Sequence, residues 1–587
     1  MTNNNRGCAS HIDRRAFLQV AGASSAVALA GCTGGNGTGD GTHVSYTNQV
    51  PTKIQYNPLN PTSYSQYSHY LLFDRFANFN FAKGEFIPYL IQNWEFGDGT
   101  FEMTVRDGVT WEDGDDVTAG DVATQLRLAR LTGGTIDQFT DSVEVADDRT
   151  VVLELAGDVN PRIVEFNALG QRFMTLKESE FGKYVEMFED DAEKAQSEIQ
   201  SHAYKDVTAN GPFTVAERGN QQILLEKRDD HPDSGNINFD QVAFRYLDGN
   251  TAVHQAIGAN ELDSVMVFAP PNVVNNFPDH IRMETIPGKV GYGLIPQHDH
   301  EHTGDRAVRQ AIAHVLDRET IVKNVGETLK QAPPLPVGIP SDDQERWLGD
   351  AYDSFEDYGV NERQTDDAEQ ILLDAGYSKD GDTWVDGSGN VVELPITVPS
   401  GWTDWVTATQ TIVDQLNDFG FESQVDSRNF SALNGTVWPN GDFILSAGGW
   451  LPGGGRASFP YFSLHHQLLE HYRGFTYNYT PANENRGGSN GDVTVPSRTG
   501  SGTMTVNPND RLEELSETSD EATTREISIE QAWVTNVDLP VIPVMEKQEQ
   551  AFLATDEWSV PEQGSDVSQV RWPHLWLIRQ GELQYDG

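Results

Sequence analysis

Residues 304–321 read GDRAVRQAIAHVLDRETI, and this stretch decides how the 587-residue chain is interpreted. Its apolar residues recur at helical spacing: Ala307, Val308, Ala311, Ile312, Val315 and Leu316. Such a stripe is typical of a helix that packs one face on a core. Asp317 follows the stripe, where its carboxylate can cap a second helix. The stretch therefore predicts two consecutive helices, the first of them largely buried.

Units of a helix followed by a strand recur further along the chain. A helix is predicted to begin at Thr365-Asp366-Asp367 and to end at Gly376, which follows Ile371, Leu372 and Ala375 on one face. Another apolar period runs through residues 412–419 and ends at Gly420, before residues 421–425 alternate as a strand does. Alternating helices and strands predict an α/β protein.

Several short motifs occur in a fixed order around the opening stretch. They are NPLN (57–60), PYLIQNWE (88–95), VRDGVTWEDG (105–114), VTAGDV (117–122), NGPF (210–213), residues 251–264 and AEQILLDAGY (368–377). In this order, together with residues 304–321, they resemble family 5 extracellular solute-binding proteins, the dipeptide- and oligopeptide-binding receptors of ABC importers. The resemblance covers roughly residues 43–555.

The resemblance implies a two-lobed, periplasmic-binding-protein-like α/β fold of type II, in the large three-domain cluster, with a hinge between the lobes. Domain I would be discontinuous and domain II inserted into it, and domain III would form the other lobe. The expected ranges are 43–75, 208–290 and 540–587 for domain I, 76–207 for domain II, and 291–539 for domain III with a polar loop at 472–508. The implied function is capture of a solute between the lobes and its delivery to the permease subunits, by a monomer without enzymatic activity or cofactor.

The N-terminal segment is predicted to be an export signal followed by a lipid anchor. Arg14 and Arg15 precede an apolar run over residues 16–30, which is too short to span a bilayer and is typical of a signal peptide. The arginine pair resembles a Tat export signal, and Leu29-Ala30-Gly31-Cys32 resembles a lipoprotein box with Cys32 as the lipidated residue. Residues 1–31 are thus a predicted signal and 32–42 a Gly-rich linker. The chain is expected at the extracellular face of the cell membrane.

The charge of the chain limits its partners. Forty Lys and Arg against 89 Asp and Glu give a net charge of −49, which excludes a protein that binds nucleic acid phosphates. An acidic, Lys-poor surface is tolerated in concentrated salt, where self-repulsion is screened. We therefore expect a halophilic source, and the resemblance is to a haloarchaeal Tat lipoprotein. The only cysteines are Cys8 and Cys32, so no disulfide is expected in the mature chain.

Catalytic and metal-binding interpretations find little support in the sequence. The motif GGSNG (487–491) fits a nucleophile elbow in letters only, because no strand and helix flank it. His298, His300 and His302 alternate and would share one side of a strand, which makes them weak metal-ligand candidates. An exported hydrolase or a metal-binding protein remains a distant alternative.

Aromatic residues supply the candidate ligand-binding positions. Trp402, Asp404 and Trp405 follow a predicted strand, where an open α/β sheet places its ligand loop. The other candidates are Trp450, Trp438 and Tyr64. Peptide-binding members of the family have an Asp closely after the equivalent of Trp450, whereas this chain has Leu-Pro-Gly-Gly-Gly at 451–455. Both a peptide and an oligosaccharide therefore remain open as cargo.

Overall fold

The computed structural model describes residues 41–60, 62–65, 67–170, 172–469, 474–479 and 491–587. The predicted signal with Arg14 and Arg15, the lipidation site Cys32 and nearly all of the predicted linker lie outside the described residues. Part of the predicted polar loop 472–508 lies outside them as well. The first strand begins at Thr42, the last residue of the predicted linker.

The strands are β1 (Thr42–Thr47), β2 (Ala77–Asn80), β3 (Glu85–Pro88), β4 (Ile91–Phe96), β5 (Thr100–Val105), β6 (Thr140–Asp147), β7 (Thr150–Leu155), β8 (Phe213–Arg218), β9 (Gln222–Lys227), β10 (Gln241–Tyr246), β11 (Ser264–Met266), β12 (Ile281–Pro296), β13 (Lys330–Gln331), β14 (Ser378–Asp380), β15 (Thr383–Val385), β16 (Ile396–Pro399), β17 (Val425–Arg428), β18 (Leu445–Gly448), β19 (Val493–Pro496), β20 (Thr503–Val506), β21 (Ile542–Ala554), β22 (Trp558–Ser559) and β23 (Gln584–Tyr585).

The α-helices are α1 (His69–Leu72), α2 (Ala119–Leu131), α3 (Pro161–Ala168), α4 (Glu178–Asp190), α5 (Ala192–Ser201), α6 (Gly249–Gly258), α7 (Pro271–Val274), α8 (Arg306–Val315), α9 (Arg318–Val325), α10 (Ser341–Leu348), α11 (Thr365–Asp374), α12 (Thr403–Phe419), α13 (Phe430–Ala432), α14 (Trp438–Asn440), α15 (Pro460–Leu468), α16 (Pro508–Glu517), α17 (Glu521–Asp538) and α18 (Pro573–Gln580). A π-helical turn, Leu433–Val437, joins α13 to α14.

Local signals in the sequence explain where several helices begin. The carboxylate of Asp305 accepts the N–H of Ala307 at the start of α8, and Asp317 accepts the N–H of Thr320 at the start of α9. The two helices predicted from residues 304–321 are thus confirmed. The prediction for α11 was wrong in one detail: its N-cap is Gln364 without a side-chain hydrogen bond. Asp366 and Asp367 instead lie inside the first turn, where their negative charge interacts favourably with the positive end of the helix dipole.

Three larger sheets organise the molecule. One has the order β1-β10-β9-β8, in which β1 runs parallel to β10 and the other pairs are antiparallel. An antiparallel sheet has the order β4-β5-β7-β6. The third sheet has the order β11-β21-β12-β18-β16-β17, with β13 pairing on β21. The predicted α/β class is confirmed by this mixture of helices and sheets.

Two long strands connect two separate cores. The N-terminal part of β12 (Ile281–Ile286) pairs with the C-terminal part of β21 (residues 549–554). These parts of the two strands belong to a core formed with the first two sheets. Their other ends pair at 290–294 with 542–547 and belong to a core with α8, α11 and α12. We name the first part lobe 1 (residues 42–286 and 549–587) and the second part lobe 2 (residues 290–547). The ladder shifts register between Ile286 and Val290, where the strands pass from one lobe to the other.

The described helices alternate apolar and polar faces or are short. Within the described ranges, none is both long enough and apolar enough to cross a membrane.

Candidate functional site

A cavity of about 370 Å³ lies where lobe 1 faces lobe 2. Its lobe 1 wall comes from β2, β3, α3 and the segments around residues 75, 172 and 571, and its lobe 2 wall is the segment 452–456. We name it the arginine cavity after four of its lining residues. The lining residues are Arg75, Asn78, Phe79, Phe81, Phe86, Thr135, Phe166, Asn167, Gly170, Arg172, Pro452, Gly453, Gly454, Gly455, Arg456 and Arg571.

Two further cavities continue along the same face. One of about 340 Å³ shares Phe79, Phe81 and Phe166 with the arginine cavity. Another of about 240 Å³ shares Pro287 and Lys289 with the second. Shared walls place the three side by side, next to the point where β12 passes between the lobes. Each of the two larger cavities falls within the size range of small-ligand sites.

The glycine run at 453–455 shapes the lobe 2 wall. Gly453 and Gly454 have φ values of +76° and +72°, which glycine adopts without strain. The N–H of Gly454 donates to the carbonyl of Gly288, a residue at the lobe crossing, at 2.9 Å. A Cβ atom on Gly455 would lie 2.2 Å from Cδ1 of Phe79 in lobe 1. The absence of a side chain at Gly455 thus allows the two lobes to touch.

Two arginines on the lobe 1 side are embedded in the wall. Arg75 is 4% exposed, and its guanidinium lies over the rings of Tyr70 and Phe173, at 5.6 and 5.0 Å from their centroids. Its Nε has no hydrogen-bond partner among the described residues. Arg172 donates from Nε to the carbonyl of Asn167 at 2.8 Å. Burial lowers the pKa of both guanidinium groups, that of Arg172 to about 10.

The other two arginines differ in their surroundings. Arg571 pairs with Glu549 at 3.3 Å, and this carboxylate holds the pKa of the guanidinium above its ordinary value against the opposing effect of burial. Arg456 extends from lobe 2 and lies over the ring of Phe462, at 5.7 Å from its centroid. The charge of Arg571 is therefore offset within the protein.

Paired charges line the two neighbouring cavities. Lys289 donates to Asp343, and burial raises the pKa of that carboxyl. Lys330 lies over the ring of Phe268 at 4.1 Å, and burial lowers its pKa to about 8. Burial likewise raises the pKa of Glu546, whose carboxylate accepts from the backbone and hydroxyl of Ser341. These cavities carry both signs of charge, unlike the arginine cavity.

Three of the predicted ligand-binding tryptophans are core residues in the structure. Trp405 packs edge-on to Tyr292, with ring centroids 5.2 Å apart. Trp438 donates its indole N–H to Oγ of Ser446, and Trp450 donates to the carbonyl of Met545, both at 3.0 Å. All three are at most 3% exposed. Their indole groups fill the core of lobe 2, and the N–H groups of Trp438 and Trp450 are satisfied there.

Trp450 nevertheless bears on the site, because its indole anchors the segment that follows it. A Cβ on Gly291 would lie 2.0 Å from Nε1 of Trp450, so the indole rests directly on strand β12. Its hydrogen bond to Met545 ties it to β21 as well. Trp450 therefore fixes the start of the segment 451–456 against both strands that connect the lobes.

The remaining predicted residues lie at the edges of lobes. Trp402 is half-buried and stacks on Phe430, with ring centroids 5.2 Å apart. Asp404 lies 3.6 Å from Nζ of Lys547, a residue that lines the smallest of the three cavities. Tyr64 contacts the ring of His69 at 5.3 Å, and burial raises its pKa. The structure brings Trp402 next to Trp405, at 4.6 Å, but it does not bring the six predicted residues together. Their assignment to ligand binding stays a prediction.

The three candidate metal ligands diverge. Nε2 of His298 lies 3.1 Å from the carbonyl of Pro540, and His302 lies 3.7 Å from Asp386. The rings of His300 and His302 are 5.6 Å apart. Across the described part of the chain, no group of three or more His, Cys, Asp or Glu residues is placed to hold a metal ion. The segment 297–304 forms turns rather than the predicted strand, so alternate residues do not share a side.

Comparison with known families decides the identity of the fold. Residues 85–467 match the family described as bacterial extracellular solute-binding proteins, family 5 Middle. The chain belongs to this family. The matched residues include the lobe 2 wall of the arginine cavity and most of its lobe 1 wall.

Comparison of whole sequences also finds an oligopeptide-binding protein related to this solute-binding protein. It is 26% identical over 269 residues to the oligopeptide-binding protein OppA of Bacillus subtilis, covering 41% of this chain. That match spans 46% of the length of OppA.

Solved structures share its fold over nearly the whole chain. An oligopeptide-binding protein of Thermotoga maritima, solved with mannohexaose bound, has a TM-score of 0.69 at 17% identity and covers 93% of this chain and 98% of its own. AppA of Bacillus subtilis, solved with a nonapeptide, has a TM-score of 0.65 at 18% identity and covers 93% of this chain and 99% of its own. Both support the predicted periplasmic-binding-protein-like fold.

Proposed function

We propose that this solute-binding protein is the receptor of an ABC-type importer, which captures an oligopeptide-class solute between its lobes and delivers it to the permease. The observation that carries the proposal is the row of cavities at the lobe interface, in a chain of this family. The names of OppA and AppA as oligopeptide-binding proteins support the class of cargo. No catalytic step is part of this function.

Closure of the lobes is the mechanism that the geometry supports. Contacts across the interface include Gly455 against Phe79, and the ring of Phe166 against that of Phe462 at 5.5 Å. The backbone N–H of Asn160 also donates to the carbonyl of Ser516 at 2.6 Å. Rotation about β12 and β21 would separate these surfaces and expose the cavities, as in other hinge-closing proteins. The three-domain division predicted from the sequence is part of the same proposal.

The export and localisation of the protein are part of the proposal as well. We expect export through Arg14 and Arg15, lipidation of Cys32 and attachment of a monomer to the extracellular face of the membrane, in a halophilic organism. Mass spectrometry of the membrane-derived protein should find a lipid on an N-terminal Cys32, and Cys32→Ser should release the protein from the membrane fraction. Full stability of the purified protein in dilute buffer would contradict the halophilic origin.

A thermal-shift screen in molar salt tests the receptor function. Peptides of two to nine residues, neutral oligosaccharides and metal ions should be compared, with analysis of each sample for reaction products. We expect a rise in Tm with a subset of peptides and no product, because a ligand that binds only the folded state stabilises it. Product formation would refute a pure receptor, and a rise with oligosaccharides alone would refute the peptide class.

A further inference from the structure

The arginine cavity has a charge opposite to that of the molecule as a whole. The chain has 89 acidic residues against 40 basic ones. Yet four arginines line this cavity, and among the described residues none of its lining side chains is acidic. The two neighbouring cavities instead combine lysines with Asp342, Asp343 and Glu546. The positive wall is therefore a local feature that the composition of the chain opposes.

Two of the four charges lie in the wall without a counter-charge: Arg75 is buried and Arg172 is half-buried. No carboxylate of a described residue pairs with Arg75, and its Nε lacks any hydrogen-bond partner in the same part of the chain. Within the described ranges, the one hydrogen-bond acceptor of the Arg172 side chain is the main-chain carbonyl of Asn167. A buried charge without a partner destabilises a folded protein, and an anion that reaches it removes this cost. The depressed pKa values of both groups agree with this arrangement.

The third charge comes from the opposite lobe. Arg456 follows the glycine run and lies over the ring of Phe462, and no carboxylate of a described residue pairs with it. An anionic group that contacts Arg456 together with Arg75 or Arg172 would join lobe 2 to lobe 1. Phe79, Phe81 and Phe166 provide apolar surface between these positions.

We propose, on the basis of the receptor function above, that the cargo is an anionic solute with an apolar body: a short acidic peptide whose carboxylates pair with Arg75, Arg172 and Arg456. Guanidinium groups bind carboxylates through paired, charge-assisted hydrogen bonds, which are stronger than neutral ones. Such short-range pairing persists in concentrated salt, where long-range attraction is screened. The carboxylates of the peptide would supply the negative charges that the cavity wall lacks.

The test is isothermal titration calorimetry in 2 M KCl, which compares the binding of ligands that have a similar shape but a different charge. The probes are the tripeptide Glu-Phe-Glu, its neutral analogue Gln-Phe-Gln-amide, citrate as a polycarboxylate without a peptide bond, and mannohexaose. The variants are Arg172→Gln and Arg456→Gln, with Arg127→Gln as the matched control. Arg127 is also half-buried, and it donates Nε to the carbonyl of Val143 at 2.9 Å, but it lies on α2 outside the cavities.

We expect Glu-Phe-Glu to bind at least ten-fold more tightly than Gln-Phe-Gln-amide. Each cavity variant should weaken that binding by about 10- to 100-fold, whereas Arg127→Gln should leave it within two-fold. The Tm of each unliganded variant shows that it is folded. Citrate binding as tightly as the acidic tripeptide would replace the peptide by a free polycarboxylate and overturn that part of the proposal.

Other outcomes separate the two proposals. Equal binding of acidic and neutral peptides, or full affinity in Arg172→Gln and Arg456→Gln, would overturn the anionic cargo and leave the receptor function intact. Tight binding of mannohexaose alone would overturn the anionic cargo and the peptide class. No binding of any probe by the folded protein would count against the anionic cargo, and the wider thermal-shift screen would then decide the receptor function on its own.

Discussion

Three buried histidines make the stability of lobe 1 depend on pH in a calculable way. Burial lowers the pKa values of His43, His69 and His574 from 6.5 to about 3. His574 has no hydrogen-bond partner on either ring nitrogen within the described part of the chain. Burial alone lowers the pKa of His574, whereas the pKa of His43 is lowered by burial and, to a smaller extent, by the neighbouring His574. We therefore choose His574→Leu as the perturbation.

The sign follows from proton binding in the two states. In the unfolded chain a histidine gains a proton below pH 6.5, whereas His574 in the folded chain stays neutral down to about pH 3. The unfolded state then binds more protons, so the free energy of unfolding falls as the pH is lowered through this window. Between pH 7.0 and 5.5 one such histidine lowers it by about 1.3 kcal/mol, and three by about 4 kcal/mol. Any folded pKa below about 4.5 gives the same difference.

Equilibrium urea unfolding, followed by tryptophan fluorescence at pH 7.0 and 5.5 and constant ionic strength, measures this effect. The loss of stability between the two pH values should be about 1.3 kcal/mol smaller in His574→Leu than in the wild type. Leu577→Ala is the matched control, since Leu577 is buried on the same helix α18 and does not titrate. It should lower stability equally at both pH values. An identical pH dependence in His574→Leu and the wild type would refute the reasoning.

Three further predictions concern lobe closure, a buried hydrogen bond and a buried ion pair. Gly455→Val should place its side chain against Phe79 and destabilise the closed contact by about 1–3 kcal/mol, so that small-angle scattering shows a larger radius of gyration while Tm stays within a few degrees. Trp450→Phe removes an N–H that satisfies a buried carbonyl and should lower the free energy of unfolding by about 1–3 kcal/mol in urea titrations. Asp538→Asn leaves Arg309 buried without its carboxylate, 3.1 Å away, and should cost about 3–5 kcal/mol by the same measurement; a loss under 1 kcal/mol would contradict this.

Helix starts were predictable from the sequence because the signals are local. Asp305 and Asp317 cap α8 and α9 from positions two or three residues away, and Thr118 with Asp121 forms a capping box at the start of α2. The apolar stripe along α8 is buried as its spacing predicts, apart from the half-buried Ala307 at its start. Such patterns depend on a few neighbouring residues, so they can be recognised in the sequence alone.

The arginine cavity was not predictable in the same way. Its arginines at 75, 172, 456 and 571 come from four distant segments, and only the fold places them on one wall. The run at 451–455 had a signal in the sequence, since consecutive glycines indicate unusual backbone or a close approach. By comparison with the family pattern the run indicates only a missing carboxylate, whereas in the structure residues 452–455 form most of the lobe 2 wall.

The tryptophans show the converse difficulty. An indole in a ligand cleft and an indole in a core have the same letter and the same flanking pattern. The difference lies in a hydrogen-bond partner distant in sequence: the N–H of Trp450 reaches Met545, 95 positions away. A core position therefore required the tertiary structure.

Net charge and cargo charge are decided by different residues of this protein. The value of −49 sums side chains that are mostly exposed, whereas Arg75 is buried and Arg172 is half-buried in the cavity wall. In dilute buffer the acidic surface would repel an anionic solute before it reached these arginines, because the Debye length is about 10 Å at 0.1 M ionic strength. In molar salt the Debye length is about 3 Å, so repulsion by the surface ends within about one layer of water while contact with a buried guanidinium remains. The salt that makes an acidic surface tolerable thus also allows an acidic receptor to capture an acidic solute.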